Sequence, residues 1–355
     1  MKKSVKIILS IVLTLFILML AGAGVVAGLV IKEFSPMAKQ SNEQIVTFKI
    51  PYGTSAYDIT KELKNQNLIR NERIFYTLLL RPHYLRKLYR KIDFPENISF
   101  KCGIYQISNA LNYGQIIDLL ASGNNDPIKI SIPEGLTITK VGHLLEIHDI
   151  CKKDDFVLAC NDKNVLKECG INADTAEGFL FPDTYYFDFG MDANLVVERL
   201  VNTFFAKISN IENLKDKSFD EIYNTIILAS IVEREYKLKE EAPLISSVFT
   251  NRLKINMGLQ SCATVEYVIT EIQGKPHPEK IYNSDLKIDN PYNTYIYRGL
   301  PPGPICNPGM TALDAAANPA KTNYYFFQVM DADAGRHVFT STFKDHRQNH
   351  ILLSK

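Results

Sequence analysis

The chain has 355 residues, of which 46% are hydrophobic and 22% are charged, and its formal net charge is +1 at pH 7. This composition is typical of a globular protein and excludes a disordered or fibrous chain. The balanced charge argues against nucleic-acid binding, which usually requires a strong basic excess. The length suffices for two modest domains or one large one.

The N-terminal region predicts export from the cytoplasm. A basic tail at residues 1–6 precedes residues 7–31, which contain no charged side chain. A helix of that length exceeds the ~30 Å hydrocarbon core of a bilayer, so we predict a single transmembrane helix at 7–31. The positive-inside rule then keeps the N-terminus in the cytoplasm and places the rest on the periplasmic or extracellular side. The alternative is a cleaved signal peptide, since residues 21–23 (Ala-Gly-Ala) resemble a cleavage site.

An internal repeat organises the next part of the chain. After a linker at 32–45, the segments that begin at Ile50 and Ile132 align without a gap. Each predicts a strand, a Pro-x-Gly turn, a Ser or Thr helix cap and apolar residues at helical spacing. We therefore predict an α+β protein, with a small strand–helix domain at 46–127 and a larger mixed α+β domain at 128–355.

The larger domain contains several further predicted elements. Residues 179–187 form an aromatic, strand-like run, and residues 219–238 predict a strong helix. Strands near 324–330 and 337–340 predict a hairpin, and the tail from residue 346 predicts a helix. The six cysteines show no Cys-x-x-Cys spacing, so a zinc or thioredoxin-type site is not expected. Cys160 and Cys169 could pair, or could remain reduced thiols.

The helix at 219–238 carries the strongest candidate for chemistry. Its run 226–232 is apolar except for Ser230, and Glu233 follows on the face shared with Ile222, Ile226 and Ala229. Burial of a carboxyl group disfavours its charged form, so the pKa of Glu233 should rise. A raised pKa suits a general acid near neutral pH. The alternative is a structural Glu233 that pairs with an arginine.

Two other glutamates compete with this candidate. Glu235 lies about 200° around the helix from Glu233, where we expect solvent. Glu177 precedes Gly178 and the aromatic run, so it could act as an acid or simply stabilise a turn.

Side chains of the types that bind sugars follow Glu233 along the chain: Asn251, Arg252, Gln260, Tyr267, Asn293, Thr294, Tyr295 and Asn307. Amides donate and accept hydrogen bonds at once, which suits hydroxyl and acetamido groups. Rigid turns would explain the same Asn- and Pro-rich segments. The seven histidines lack the spacing of metal ligands, and no nucleotide-binding or Gly-x-Ser-x-Gly motif occurs, so we predict no metal and no cofactor.

Several segments, in this order, resemble one family, the MltG/YceG endolytic murein transglycosylases: residues 177–185, 228–235, 248–253, 257–261, 292–295 and 299–309. The resemblance covers essentially the whole chain, and the small domain resembles a LysM-like module. This chain departs from the family at residues 261–264, where Ser-Cys-Ala-Thr stands in place of a common Thr-Asp-Pro-Thr. The role of that loop is therefore left open.

The resemblance implies that Glu233 is the catalytic residue of a lyase. Such an enzyme cleaves the bond between N-acetylmuramic acid and N-acetylglucosamine inside nascent peptidoglycan strands and leaves a 1,6-anhydro end. It would act in cell-wall assembly at the membrane and limit glycan elongation, with glycan strands and cell-wall synthesis proteins as partners. The residues that we expect to bind the glycan are Gln260, Asn293, Tyr295, Asn251, Tyr267 and Glu177.

Two rival functions remain open from the sequence. A binding protein would hold glycan and act as a scaffold for wall-synthesis proteins without turnover. A hydrolytic glycosidase would need a second carboxylate near Glu233, for which Glu177 is the candidate.

Overall fold

The computed structural model describes residues 17–24, 28, 30–123, 127–331 and 333–353, with side chains described as far as residue 348. Contacts divide the chain into two compact units. The first ends at Pro127 and also includes Asp188–Gly190; the second comprises 128–187 and the chain from 191 onward. Within the described residues, helices and three two-stranded sheets make up a mixed α+β fold, which confirms the predicted class.

The predicted transmembrane helix at 7–31 lies largely outside the described residues. In the parts of the chain that the structure describes, we find no helix that combines the length and the apolar character needed to cross a bilayer.

The first unit contains two strands and four helices in the described part beyond residue 44: β1 (Ile45–Ile50), α1 (Ala56–Asn65), α2 (Glu72–Leu80), α3 (Pro82–Leu88), β2 (Gly103–Ser108) and α4 (Tyr113–Ser122). Strands β1 and β2 are antiparallel, with Phe48 opposite Tyr105. Their inward side chains join those of the helices in one apolar core, which includes Phe75 and Ile117. The predicted cap of α1 is confirmed, because the Ser55 hydroxyl accepts from the Asp58 amide at 3.1 Å.

The second unit has these elements in the described residues: β3 (Ile128–Ser131), α5 (Ile138–Ile147), α6 (Lys153–Ala159), α7 (Lys163–Glu168), β4 (Thr184–Phe187), α8 (Ala193–Ile208), α9 (Phe219–Glu233), α10 (Ala242–Lys254), α11 (Cys262–Tyr267), α12 (Met310–Ala317), β5 (Phe326–Asp331), β6 (Arg336–Thr340) and α13 (Phe343–Leu353). Strand β3 pairs with β4, and β5 with β6, both antiparallel. Helix α9 packs against α12 and α10 at the centre of the core.

The predicted hairpin of β5 and β6 and the C-terminal helix are confirmed, but two predicted elements are longer than the observed ones. Helix α9 ends at Glu233 rather than at residue 238, because the Arg234 amide turns back to the Ile231 carbonyl in a tighter final turn. The strand predicted at 179–187 begins only at Thr184. Upstream, the side chain of Asn307 binds the Leu180 amide, and this contact replaces a strand partner.

The second copy of the repeat differs from the first in its helix cap. The Thr137 side chain does not cap α5. Instead, the carboxyl group of Glu177 accepts from the Ile138 amide, at 3.2 and 3.1 Å from its two oxygens. A buried carboxyl from a distant segment therefore performs the local role that the sequence assigns to a hydroxyl.

None of the six cysteines forms a disulfide. Cys160 and Cys169 are both buried, and the pairing considered from their sequence proximity is not formed. Burial raises the pKa of both thiols, which makes them poor nucleophiles.

Candidate active site

Glu233 is the last residue of α9, and the buried helix fixes the position of its side chain. The side chains of residues 226–232 are all buried, so the acid is held at the end of a rigid core segment. Glu233 itself is partly buried, and this burial is the main cause that raises its pKa to about 7. The C-terminal end of a helix also disfavours a negative charge. A carboxylic acid with this pKa can both donate and accept a proton near neutral pH.

Two donors hold the Glu233 carboxyl group in place. The Gly309 amide donates to Oε2 at 2.9 Å, and the Tyr236 hydroxyl donates to Oε1 at 3.3 Å. Gly309 is the N-cap residue of α12, whose positive N-terminal end favours the ionised form of the acid. Both contacts lower the pKa of Glu233, but less than burial raises it. Glu233 therefore lies between the C-terminal end of α9, which favours its protonated form, and the N-terminal end of α12, which favours its ionised form.

Loop 305–309 is fixed to α9 before it reaches Glu233. The Ile305 amide donates to the Ser230 hydroxyl at 3.0 Å, and the Cys306 thiol donates to the Ser230 carbonyl at 3.3 Å. Ser230 is the polar residue within the apolar run, and its hydroxyl also donates to the Ile227 carbonyl at 2.8 Å. The buried serine thus aligns the loop that carries the Gly309 amide.

The same loop is tied to the turn at 133–135. The Gly135 amide donates to the Asn307 carbonyl at 2.9 Å, and the Asn307 amide donates to the Leu136 carbonyl at 2.8 Å. Gly135 has φ of +77°, which favours glycine, and a Cβ there would lie 3.6 Å from Cγ of Glu233. The turn therefore approaches the catalytic candidate closely.

Glu134, in this turn, is a candidate residue that the sequence analysis missed. Its side chain is exposed and packs on Gly309, where a Cβ would meet Cγ of Glu134 at 2.5 Å and Oε1 at 2.7 Å. The N and Cβ positions of one residue are about 2.5 Å apart, so the carboxyl groups of Glu134 and Glu233 lie within about 8 Å of each other. The sequence alone contained no signal for this residue, since the first copy of the repeat carries Tyr52 at the equivalent position.

Arg234 follows the acid but is engaged elsewhere. Its guanidinium binds Glu266 at 2.7 Å and also donates to the Gly135 carbonyl at 3.4 Å. His277 lies 3.1 Å from the same Glu266 carboxylate. Arg234 is thus paired with Glu266 rather than with Glu233, although its charge still lowers the pKa of Glu233.

Glu235 is partly buried, where the sequence analysis expected solvent. The Ser261 hydroxyl donates to its Oε1 at 2.5 Å, and burial raises the pKa of this carboxyl group. The helix ends at Glu233, so the residues beyond it no longer follow the helical spacing from which exposure was predicted. Ser261 belongs to the loop that departs from the family pattern, and here it serves as a partner for Glu235.

Of the predicted glycan-binding residues, Gln260 and Tyr295 lie on neighbouring segments. Gln260 is exposed and has φ of +52°. Its backbone amide donates a hydrogen bond to the Thr294 carbonyl at 3.2 Å. The Tyr295 hydroxyl lies 3.1 Å from Sγ of Cys262. The loops at 260–264 and 293–295 therefore come together, with the Gln260 side chain open to solvent.

Asn293, Asn251 and Tyr267 lie further inside. Asn293 is 0% exposed, and its amide donates to the carbonyls of Leu286 and Ile288 at 3.1 and 2.8 Å. The Asn251 amide donates to two carbonyls of the segment 322–324, at 3.0 and 3.1 Å. Tyr267 packs its ring 5.1 Å from that of Tyr292, and burial raises the pKa of its hydroxyl. Asn293 and Asn251 therefore hold loop backbone in place, and Tyr267 packs against a neighbouring ring.

Glu177 is enclosed in the core at 4% exposure. Besides the Ile138 amide, it accepts from the Asn307 side-chain amide at 2.9 Å. Burial raises its pKa to about 8, so this carboxyl group is largely protonated at neutral pH. Asn307, whose Oδ1 also accepts from the Gly178 amide at 2.9 Å, thus links Glu177 to the loop of Gly309.

Acidic, cysteine and histidine side chains do not converge in groups that could hold a metal ion in the described parts of the chain. The chemistry available is that of one acid with a pKa near neutrality, a second carboxylate beside it, and fixed backbone and hydroxyl donors. Such a constellation is typical of an enzyme that works by general acid–base catalysis.

The family assignment agrees with this class. Residues 48–351 match the YceG-like family, and the chain belongs to it. This confirms the resemblance found in the sequence.

Curated relatives bear one functional name. A protein of Bacillus subtilis (strain 168) named endolytic murein transglycosylase is 29% identical over 330 residues, which is 88% of this chain and 86% of the relative. A protein of the same name from Streptococcus pneumoniae (strain D39) is 24% identical over 346 residues, 87% of this chain and 58% of the relative. A crystal structure of a yceG-like protein from Listeria monocytogenes matches with a TM-score of 0.55 and 28% identity, over 86% of this chain and 99% of that one.

Proposed function

We propose that this protein is an endolytic murein transglycosylase that uses Glu233 as its single acid and base. The observation that carries the proposal is the position of Glu233, an acid with a pKa of about 7 that two donors orient at the end of a buried helix. The names of the relatives supply the substrate class, peptidoglycan, and the reaction class of a lyase.

The proposed reaction has two steps. In the first, protonated Glu233 gives its proton to the oxygen that joins N-acetylmuramic acid to N-acetylglucosamine, and the C1–O bond breaks towards the leaving sugar. In the second, the Glu233 carboxylate takes the proton of the C6 hydroxyl, whose oxygen bonds to C1 and closes a 1,6-anhydro ring. The acid ends as it began, and water is not consumed. Cuts inside growing strands would limit glycan length.

Gln260 and Tyr295 are the proposed glycan contacts, because one is exposed and the other adjoins the same loop pair. Asn251, Asn293, Tyr267 and Glu177 were also predicted to bind substrate. We propose that they act by holding the loops that carry the contacts. Polar contacts that tighten on a distorted sugar ring would lower the barrier.

A hydrolytic glycosidase is the second candidate, and Glu134 is the observation that favours it. Hydrolases use two carboxyl groups about 5–9.5 Å apart. The upper limit of about 8 Å derived for the separation of Glu134 and Glu233 is compatible with this range. In the hydrolase, Glu177 would be unsuited as the second carboxylate because its oxygens are enclosed.

Product analysis of purified glycan strands tests the proposal. Mass spectrometry should show internal fragments that end in 1,6-anhydro-muramic acid, lighter by one water than hydrolysed ends. Glu233→Gln should remove them, and Glu240→Gln, which changes an exposed glutamate nearby, should not. Hydrated reducing ends would favour the hydrolase. Binding without products from the unaltered protein would favour a scaffold.

We also propose that residues 7–31 anchor the chain in the cytoplasmic membrane and that the second unit acts on the outer side of it. The support is the uncharged run and the basic tail before it. A C-terminal reporter that is active only outside the cytoplasm should be active in the full chain. N-terminal sequencing of the mature protein separates an anchor from a cleaved signal.

The first unit would act as a LysM-like glycan-binding module in this proposal. Its support is the antiparallel pair β1 and β2 with helices packed on it.

A further inference from the structure

The turn at 133–135 brings a second charge to the acid. Glu134 lies on Gly309, where a Cβ would lie 2.5 Å from Cγ of Glu134, and the Gly309 amide donates to Glu233 at 2.9 Å. The backbone of the turn is bonded to Asn307, so this placement is built into the fold. The side chain of Glu134 is exposed.

We propose that Glu134 is a positioning residue for the proton of Glu233. Its negative charge holds the proton on Glu233 before cleavage and makes the Glu233 carboxylate a stronger base afterwards. This inference rests on the proposed function, because it assigns a role within the same two-step reaction. Glu134 itself forms and breaks no bond: the proton moves from Glu233 to the leaving oxygen and returns to Glu233 from the C6 hydroxyl.

The groups that face Glu233 support this role. Glu134, from the turn before α5, opposes ionisation of Glu233, while Arg234, from its own helix end, favours it. Tyr236 donates a hydrogen bond to the acid, and the buried Cys306 thiol lies within electrostatic reach of it. Burial raises the pKa of Glu233 most, and the negative charge of Glu134 raises it further.

The charge also matters for the second step. A general base is stronger when its conjugate acid has a higher pKa. A neighbouring negative charge raises the pKa of a carboxylic acid because it disfavours the charged form. The same side chain therefore assists both halves of the reaction, without contact to the bond that breaks.

The test is the pH profile of kcat for Glu134→Gln. The variant keeps the shape of the side chain and removes its charge, so the basic limb should move to lower pH by about half a unit to one unit. Since Glu233 has a pKa of about 7, kcat should fall two- to fivefold at pH 7 and stay nearly unchanged at pH 5, to order of magnitude. KM should change little. Glu168→Gln, an exposed glutamate of α7, is the matched control and should leave the profile in place.

A second pair of variants guards against a folding defect. Gly309→Ala places a methyl group where the Glu134 side chain lies, so it should displace that flexible carboxylate and shift the basic limb in the same direction. In a Glu134→Ala background the methyl group has room, so adding Gly309→Ala should cause no further shift. Such non-additivity would not arise from two independent structural defects.

The outcomes separate this inference from the proposed function. An unshifted pH profile in folded Glu134→Gln, beside an inactive Glu233→Gln, overturns the role of Glu134 alone. Complete loss of activity at every pH in Glu134→Gln also overturns it, since it would make Glu134 a directly reacting carboxylate. Full activity of Glu233→Gln would instead refute the proposed function.

Discussion

Replacing Glu233 by glutamine should stabilise the folded protein above pH 7 while it abolishes activity. The pKa of Glu233 rises from 4.5 to about 7 in the folded chain, and each unit corresponds to about 1.4 kcal/mol. Ionised Glu233 therefore reduces the free energy of unfolding by about 3.5 kcal/mol at most, an upper value because the side chain is partly solvated. A neutral glutamine is free of this cost and can still accept from the Gly309 amide.

The sign of the effect fixes the pH window. Below about pH 4.5 the carboxyl group is protonated in both the folded and the unfolded chain, so Glu233 and glutamine should give similar stability. As the pH rises from there to about 7, the unfolded chain ionises more readily than the folded one. The unaltered protein should then lose stability relative to Glu233→Gln, and the difference should level off above that pH.

Thermal or denaturant unfolding of both proteins between pH 4.5 and 8.5 measures this difference. Glu177, whose pKa is about 8, titrates in both chains and cancels in the comparison. Parallel stability curves across the whole range would refute the reasoning, because they would show that the folded chain does not resist ionisation of Glu233.

Two further substitutions test the surroundings of the site, each by urea unfolding. Gly178→Ala should reduce the free energy of unfolding by about 3 kcal/mol or more, because φ is +88° and a Cβ would lie 2.5 Å from Pro304. The control is Gly170→Ala, which has φ of +76° and open space around the Cβ position, so it should cost only about 1 kcal/mol. Equal losses would contradict the steric argument. Asn307→Asp replaces the donor to Glu177 by a second carboxyl group, so it should cost about 3 kcal/mol at pH 7 and less at pH 5. A loss independent of pH would disagree.

The sequence was sufficient to select Glu233 as the candidate acid because the signal is local. Seven consecutive buried positions precede it on one helix, and helical spacing alone indicates that it ends an apolar face. The end of that helix was not predictable in the same way. Arg234 and Glu235 turn towards Glu266 and Ser261, which lie in another part of the chain.

Residues that depend on distant contacts were harder to interpret. Glu134 looks like an ordinary turn residue in the sequence, and its position only becomes notable when Gly309 is placed beneath it. Composition also cannot distinguish an amide that faces a ligand from one that ties a loop. Gln260 is exposed, whereas Asn293 is fully enclosed, although both were chosen for the same chemistry.

The capping of α5 shows the same limit within the repeat. Ser55 and Thr137 occupy equivalent positions, and only Ser55 caps its helix through its own side chain. The carboxyl of Glu177 takes the place of the second hydroxyl. A repeat in sequence therefore predicted the backbone elements correctly and assigned the wrong donor–acceptor pair at one of them.

The bonds of Asn307 have a consequence for how the protein matures. They join positions separated in sequence by 129, 130 and 171 residues, and the bond from Gly309 to Glu233 spans 76. Contacts of such long range cannot form until both segments have been synthesised, and closing the loop between them costs chain entropy. During synthesis the acid is thus unsupported until the segment at 305–309 has emerged and docked. A chain that ends before residue 305 carries Glu233 without the Gly309 amide, so the proposed acid gains this partner only after residues 305–309 have folded.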